Sequence, residues 1–149
     1  MVWTDEVVPI IRVLINDYDS PVTYSDNRLI DTAIIAAQLL LLEISFSNTY
    51  TITISTCTIS PDPILDDSFI NMVSMKSACL ILSGEAKTEA SNSVKIIDGP
   101  STIDLSGRSA SIQMAAKKMQ EMFDSAKLSY LAGNSVGAEA IVSPYTYER

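Results

Sequence analysis

Five aspartates stand close enough in the chain to suggest a cation site: Asp17 and Asp19 in one stretch, Asp62, Asp66 and Asp67 in another. A calcium loop spaces its oxygen ligands at alternate positions and needs a glycine for its sharp turn. Neither stretch has that pattern, and aspartates before helices and in turns are explained by local bonds to the backbone. No histidine occurs among the 149 residues. Its absence removes the commonest general base and the commonest nitrogen ligand for metals. A Ser-His-Asp triad is therefore impossible, and the Ser–Lys pairs that lysines and serines form by chance sit in no recognisable motif. Gly84, Gly99, Gly107, Gly133 and Gly137 are scattered, without the spacing of a phosphate-cradling loop. Cys57 and Cys79 are too few for a disulfide framework or a four-thiolate zinc site, and read as small apolar fillers. The residues point to no enzyme, no metal and no cofactor.

Charge narrows the partners. Eighteen acidic side chains against ten basic ones give a net charge of -8. A nucleic-acid grip needs clustered Lys and Arg to displace counterions, and an anionic membrane surface asks for the same. The apolar window Ala33 to Leu42 contains Gln38 and falls short of the roughly 20 residues of a membrane span. The start, Met1 to Glu6, lacks the basic stretch and small-residue cleavage site of a secretory signal. A soluble protein of a reducing compartment is expected. With 47% hydrophobic and 19% charged residues, the chain can bury a core as one domain.

The elements that carry these residues are mostly helical. Val7, Ile11, Leu14 and Ile15 recur at helical spacing over Asp5 to Asn16, with Thr4 as the expected cap and Pro9 where the regular part begins. A second helix, Asp26 to Ser45, follows the cap Ser25. Its main stripe is Ile30, Ala33, Ala37, Leu40, Leu41 and Ile44. Leu29, Ile35, Leu39 and Leu42 lie off that stripe, so a neighbouring subunit is the expected cover for them. Tyr50, Ile52 and Ile54 alternate with polar residues up to Thr56 as one short strand, which Ser60-Pro61-Asp62-Pro63 stops. A third helix runs from Asp66 or Asp67 toward Asn92, weakened in its later half by Gly84. A fourth spans Arg108 to Ala132, with Ile112, Ala115, Met119, Met122, Phe123, Ala126 and Tyr130 at helical spacing. Gly133 and Asn134 end it.

Between the last two helices, Val94 to Ile97 and Thr102 to Leu105 flank Asp98-Gly99-Pro100-Ser101 and read as a β-hairpin. Asp98, Gly99 and Pro100 form its tip, and Ile103 and Leu105 share one face, which makes these five the expected contact residues. After the fourth helix the period is lost, yet Ile141, Val142, Pro144, Tyr145 and Tyr147 crowd one short stretch. That stretch reads as an extended interaction arm. The expected class is all-α: a four-helix domain over residues 1–134 with one short strand and the hairpin 94–105, then the arm 135–149.

The phrases in this order are Leu14-Ile15-Asn16-Asp17 with Ser20-Pro21, Tyr24-Ser25-Asp26 opening an apolar helix, and Ile59-Ser60-Pro61-Asp62-Pro63 before a long helix. They continue with Ile97-Asp98-Gly99-Pro100-Ser101-Thr102-Ile103-Asp104-Leu105 and the closing Leu131-Ala132-Gly133-Asn134. Over nearly the whole chain this resembles the head–tail connector, or adaptor, proteins of tailed bacteriophages, particularly those in the necks of cyanobacterial phages. The resemblance implies a structural virion protein at the head–tail interface, assembled in the host cytoplasm. It implies a homo-oligomeric ring, typically twelve-fold, beneath the portal protein, extending the channel through which genomic DNA passes without specific binding. It implies that the hairpin and the arm meet the next neck or tail-terminator protein and the portal. A rival from another class is a soluble acidic DNA mimic that inhibits a DNA-binding enzyme. Such a mimic needs acids in dense rows on one face, whereas here they are dispersed along the chain.

Carboxylates without an alternating loop make weak, unselective metal sites. Dialysis against a chelator is therefore expected to leave helicity and melting temperature unchanged, as read by circular dichroism. A drop of more than a few degrees would identify one of the aspartate groups as a working site.

Overall fold

The computed structural model of the chain describes residues 2–92, 95–98, 101–104 and 106–134. These form α1 (Trp3–Ile15), α2 (Asp26–Glu43), β1 (Thr51–Thr53), β2 (Thr58–Ser60), α3 (Asp67–Asn92), β3 (Lys95–Asp98), β4 (Ser101–Asp104) and α4 (Ser106–Asn134). The chain is mostly helical, with two small antiparallel sheets among the described residues.

Helix α1 starts earlier than its cap motif suggests. Thr4 lies inside the helix, and Val2 at the cap has no side-chain oxygen to offer. The Asp5 carboxylate takes over, accepting from the Val2 N–H at 3.0 Å. Pro9 sits within the helix on its exposed side, so regular structure does not wait for it. Trp3, Val7 and Ile11 form the buried edge. The helix ends at Asn16 in the left-handed conformation, φ 57° and ψ 39°. There the Asn16 N–H reaches the Val13 carbonyl at 3.2 Å and the Asp17 N–H reaches that of Arg12 at 2.9 Å, so two otherwise open carbonyls are satisfied.

Helix α2 is capped as its sequence suggests, with Ser25 Oγ accepting from the Arg28 N–H at 3.4 Å. It buries Leu29, Ala33, Ile34, Ala36, Ala37 and Leu40. The inward stripe is thus turned slightly from the expected one. Leu29 belongs to it, whereas Ile30 and Leu41 pack only at its rim.

The expected single strand from Tyr50 to Thr56 is instead the first arm of a hairpin. Strand β1 pairs with β2 in the register Thr51 to Ser60, Ile52 to Ile59 and Thr53 to Thr58. The chain turns through Ile54–Thr56 in a 3-10 turn that Cys57 closes at φ 50°. The alternation therefore stops after three residues: Ile54 is exposed, and Ile59 on the return strand is buried. The strands β3 and β4 pair from Lys95 with Asp104 to Asp98 with Ser101. Their bounds lie one residue closer to the turn than expected. Gly99, Pro100 and Leu105 fall outside the described residues, as does the whole stretch 135–149 with Ile141, Val142, Pro144, Tyr145 and Tyr147.

Helix α3 touches α1, α2 and α4. From Phe69 to Leu82 only Asn71 is exposed, which explains why no single apolar stripe marks it. Helix α4 is the opposite case. Ser109, Ile112, Ala116, Met119, Phe123, Ala126 and Tyr130 alternate spacings of three and four and are its buried or half-buried residues, with Lys127 beside them. That is a narrow seam of coiled-coil type. Ala115 and Met122, expected in the stripe, are exposed. At one end of the α3–α4 pair, Phe46 meets Phe69 edge-on with centroids 5.0 Å apart and Tyr130 at 5.3 Å, while Tyr50 tilts over Phe69 at 4.2 Å. The start of α3 thus lies beside the end of α4, and the two helices run antiparallel.

Two substitutions should move stability in opposite directions. Phe123→Ala removes a buried ring from the seam and is expected to cost about 3–5 kcal/mol. A Cβ on Gly84 would meet open space, and its backbone is helical, so Gly84→Ala should add up to about 1 kcal/mol. Urea unfolding of the two variants checks both signs.

Candidate subunit-packing face

The aspartates that suggested chemistry are occupied locally. Arg12 donates from Nη1 to Asp17 Oδ2 at 2.7 Å and from Nη2 to Asp26 Oδ1 at 2.5 Å and the Tyr24 carbonyl at 2.9 Å. The N–H groups of Thr23 and Tyr24 donate to Asp17 at 2.6 and 3.1 Å. This knot closes the turn between α1 and α2. Burial pushes the Asp17 carboxyl up, but the two amides and the Arg12 guanidinium outweigh it and hold it below its ordinary value. Asp19 is exposed and stands outside the knot. Asp62 accepts from the Ile64 N–H at 3.2 Å. Asp66 accepts from the Phe69 N–H at 3.0 Å, the Tyr50 hydroxyl at 2.7 Å and Asn48 at 3.2 Å. Among the described residues, no three metal-capable side chains gather at one point.

Cys79 lies in the core, where burial pushes its thiol up to about 11. Cys57 is half-buried and donates to Asp31 at 3.3 Å. The two cysteines remain free thiols.

What the fold does present is a face. The period of the α-helix puts residues seven apart nearly in line. On α2 that line is Arg28, Ile35 and Leu42, directly away from the buried stripe, with Leu39 half-buried beside it. Ile35 is 47% exposed and Leu42 78%. Leu29, expected with them as a subunit contact, is 0% exposed. It sits on the inward side of α2 and is consumed by the chain's own core. The outward face thus comprises Ile35, Leu39 and Leu42.

At its Arg28 end this face borders a cleft of about 580 Å³ between α2, α3 and α4, lined by Tyr24, Arg28, Ile35, Glu85, Glu89 and Ile112 among others. The Tyr24 hydroxyl donates to Glu85, and burial followed by that bond raises its pKa. The Arg28 guanidinium lies 4.6 Å from the centroid of the Tyr24 ring and has no ion pair among the described residues.

At the other end, Glu43 ties three helices together. Lys76 of α3 donates to its Oε1 at 2.7 Å and Lys127 of α4 to its Oε2 at 2.9 Å. Residue spacing shows neither this clasp, the Arg12 knot nor the Tyr24–Glu85 bond, because each partner comes from a different element. No protein-family model, curated protein or solved structure matches the chain.

The bonds from Lys127 and Lys76 hold the Glu43 carboxyl below its ordinary 4.5 despite partial burial. A carboxyl lowered on folding contributes stability that is complete above its ordinary value and is lost as pH falls through the lowered one. Urea midpoints should therefore hold level down to about pH 5 and fall below it. Glu43→Gln should be less stable than the parent at pH 7 and lose less on going to pH 3.

Proposed function

We propose that the chain is a structural subunit of a homo-oligomeric ring in the neck of a tailed-phage virion, joining head to tail and taking no part in catalysis. The observation that carries this reading is the outward face of α2. A helix whose opposite side is fully committed to its own core still presents Ile35 and Leu42 to water, with Leu39 half-buried beside them. Repetition of one such face around a rotation axis, against a different patch on the next copy, closes into a ring.

The layout of α3 and α4 supports the reading as well. Their aromatic end and the β3–β4 connection lie at opposite ends of an antiparallel pair, and α4 stops at the aromatic end. A hairpin and an arm leaving from opposite ends suit contacts with two different layers, the next neck protein on one side and the portal on the other. Acidic walls would repel the phosphate backbone and let the genome slide through the ring.

Leu42→Asp provides the test. Leu42 is largely exposed, so the melting temperature of the free subunit should stay within a few degrees. Native mass measurement of the protein assembled with its portal should show a closed ring for the parent chain and none for the variant. One copy of the parent chain per neck particle would overturn the proposal.

A further inference from the structure

Helix α4 carries an outward line of its own. Met114, Glu121 and Leu128 are again seven apart, on the side of α4 opposite its seam with α3. Met114 is 73% exposed and Leu128 69%. The only ion pair of Glu121 among the described residues is a long, exposed one, 3.9 Å from Lys117 one turn earlier. On α2 the corresponding line is Arg28, Ile35 and Leu42, with Arg28 in no ion pair among the described residues. Each line therefore combines two large apolar side chains with one charge, and the two charges are opposite.

From this match we infer that the α2 line of one copy packs along the α4 line of the next, with Arg28 against Glu121. The inference rests on the ring proposed above and names its two contacting faces. The spacing sets the register. Both lines repeat at seven residues, so placing Arg28 opposite Glu121 brings Ile35 opposite Leu128 if the helices run parallel, or opposite Met114 if they run antiparallel. Either way an apolar pair stands beside the ion pair, and Leu42 extends the contact past its end. Seven-residue lines are the geometry of side chains meeting between helices at a shallow angle. A second copy is the occupant the charges favour. In a chain of 18 acidic and 10 basic residues, a guanidinium without an ion pair among the described residues is matched most readily by a carboxylate of another copy, and Arg28, already stacked on Tyr24, is held ready to pair. Because the two faces are different, the contact is heterologous and propagates around a ring instead of ending at a dimer.

A charge exchange tests the pairing. Arg28→Glu alone and Glu121→Arg alone should each leave the melting temperature of the free subunit within a few degrees, because both side chains are exposed. Each should also reduce ring formation on the portal at least tenfold, read by native mass. Combining both substitutions in one chain should restore the ring. An equimolar mixture of the two single variants should also recover rings of even copy number, since in strict alternation every α2–α4 contact joins opposite charges. If the parent forms a ring and the double variant fails to recover it, or if either single variant assembles normally, the α2–α4 pairing is wrong while the ring stands. If the parent forms no ring at all, both are wrong.

Discussion

Because α3 is enclosed by α1, α2 and α4, its first half meets water only at its opening residues Asp67 and Ser68 and at Asn71. Ser74 and Ser77, wholly buried there, resolve the conflict within the helix. Their hydroxyls donate to the carbonyls of Ile70 at 2.9 Å and Val73 at 2.6 Å, one turn back. Small side chains at these points let the neighbours approach closely, and their hydroxyls do not become unpaired buried donors. The rest of the architecture follows from that enclosure. Each of the three outer helices gives one stripe to α3, and whatever apolar surface it has beyond that stripe is left facing out.

The polar contacts fix how those outer helices sit. Arg12 binds the turn between α1 and α2, and Glu43 joins the end of α2 to α3 and α4. Lys76 also stands 4.9 Å from the centroid of the Phe123 ring, so the charged clasp and the apolar seam meet at one place. Apolar burial supplies most of the cohesion and is indifferent to small rotations of a helix. Directed bonds at the ends of α2 select one rotation, and with it which residues point outward.

Much of the helical order could be read from local residues. Ser25 before Asp26 and the apolar run after it depend on contacts within one turn, although α2 ends at Glu43 and not at Ser45, and α4 includes Gly133 and Asn134 instead of ending before them. The inward stripe of α2 could not be read the same way. Two apolar stripes compete on that helix, and α3, distant in sequence, selects the one holding Leu29 and Ile34. The β1–β2 return escaped notice because the left-handed position at its turn is filled by Cys57 and not by glycine or asparagine. The phrase from Leu14 to Asp26 carried a resemblance but no evident physics. Its physics is the Arg12 knot, whose partners lie up to 14 residues away. Of the candidate contact residues, Ile35, Leu39 and Leu42 were legible as surplus apolar positions, and their outward direction came only from the packed helices.

The narrow seam of α4 has a consequence for the order in which the chain opens. A helix held by one edge gives up less buried surface on detaching than a helix enclosed on three sides. Backbone amides of α4 should therefore exchange with solvent by a partial opening, well before those of α3, which wait for global unfolding. A neighbour lying on the far side of α4 would clamp that same helix from behind. Joining the subunits would then also hold closed the seam between α3 and α4 within each of them, so that cohesion inside a subunit and cohesion between subunits become a single quantity.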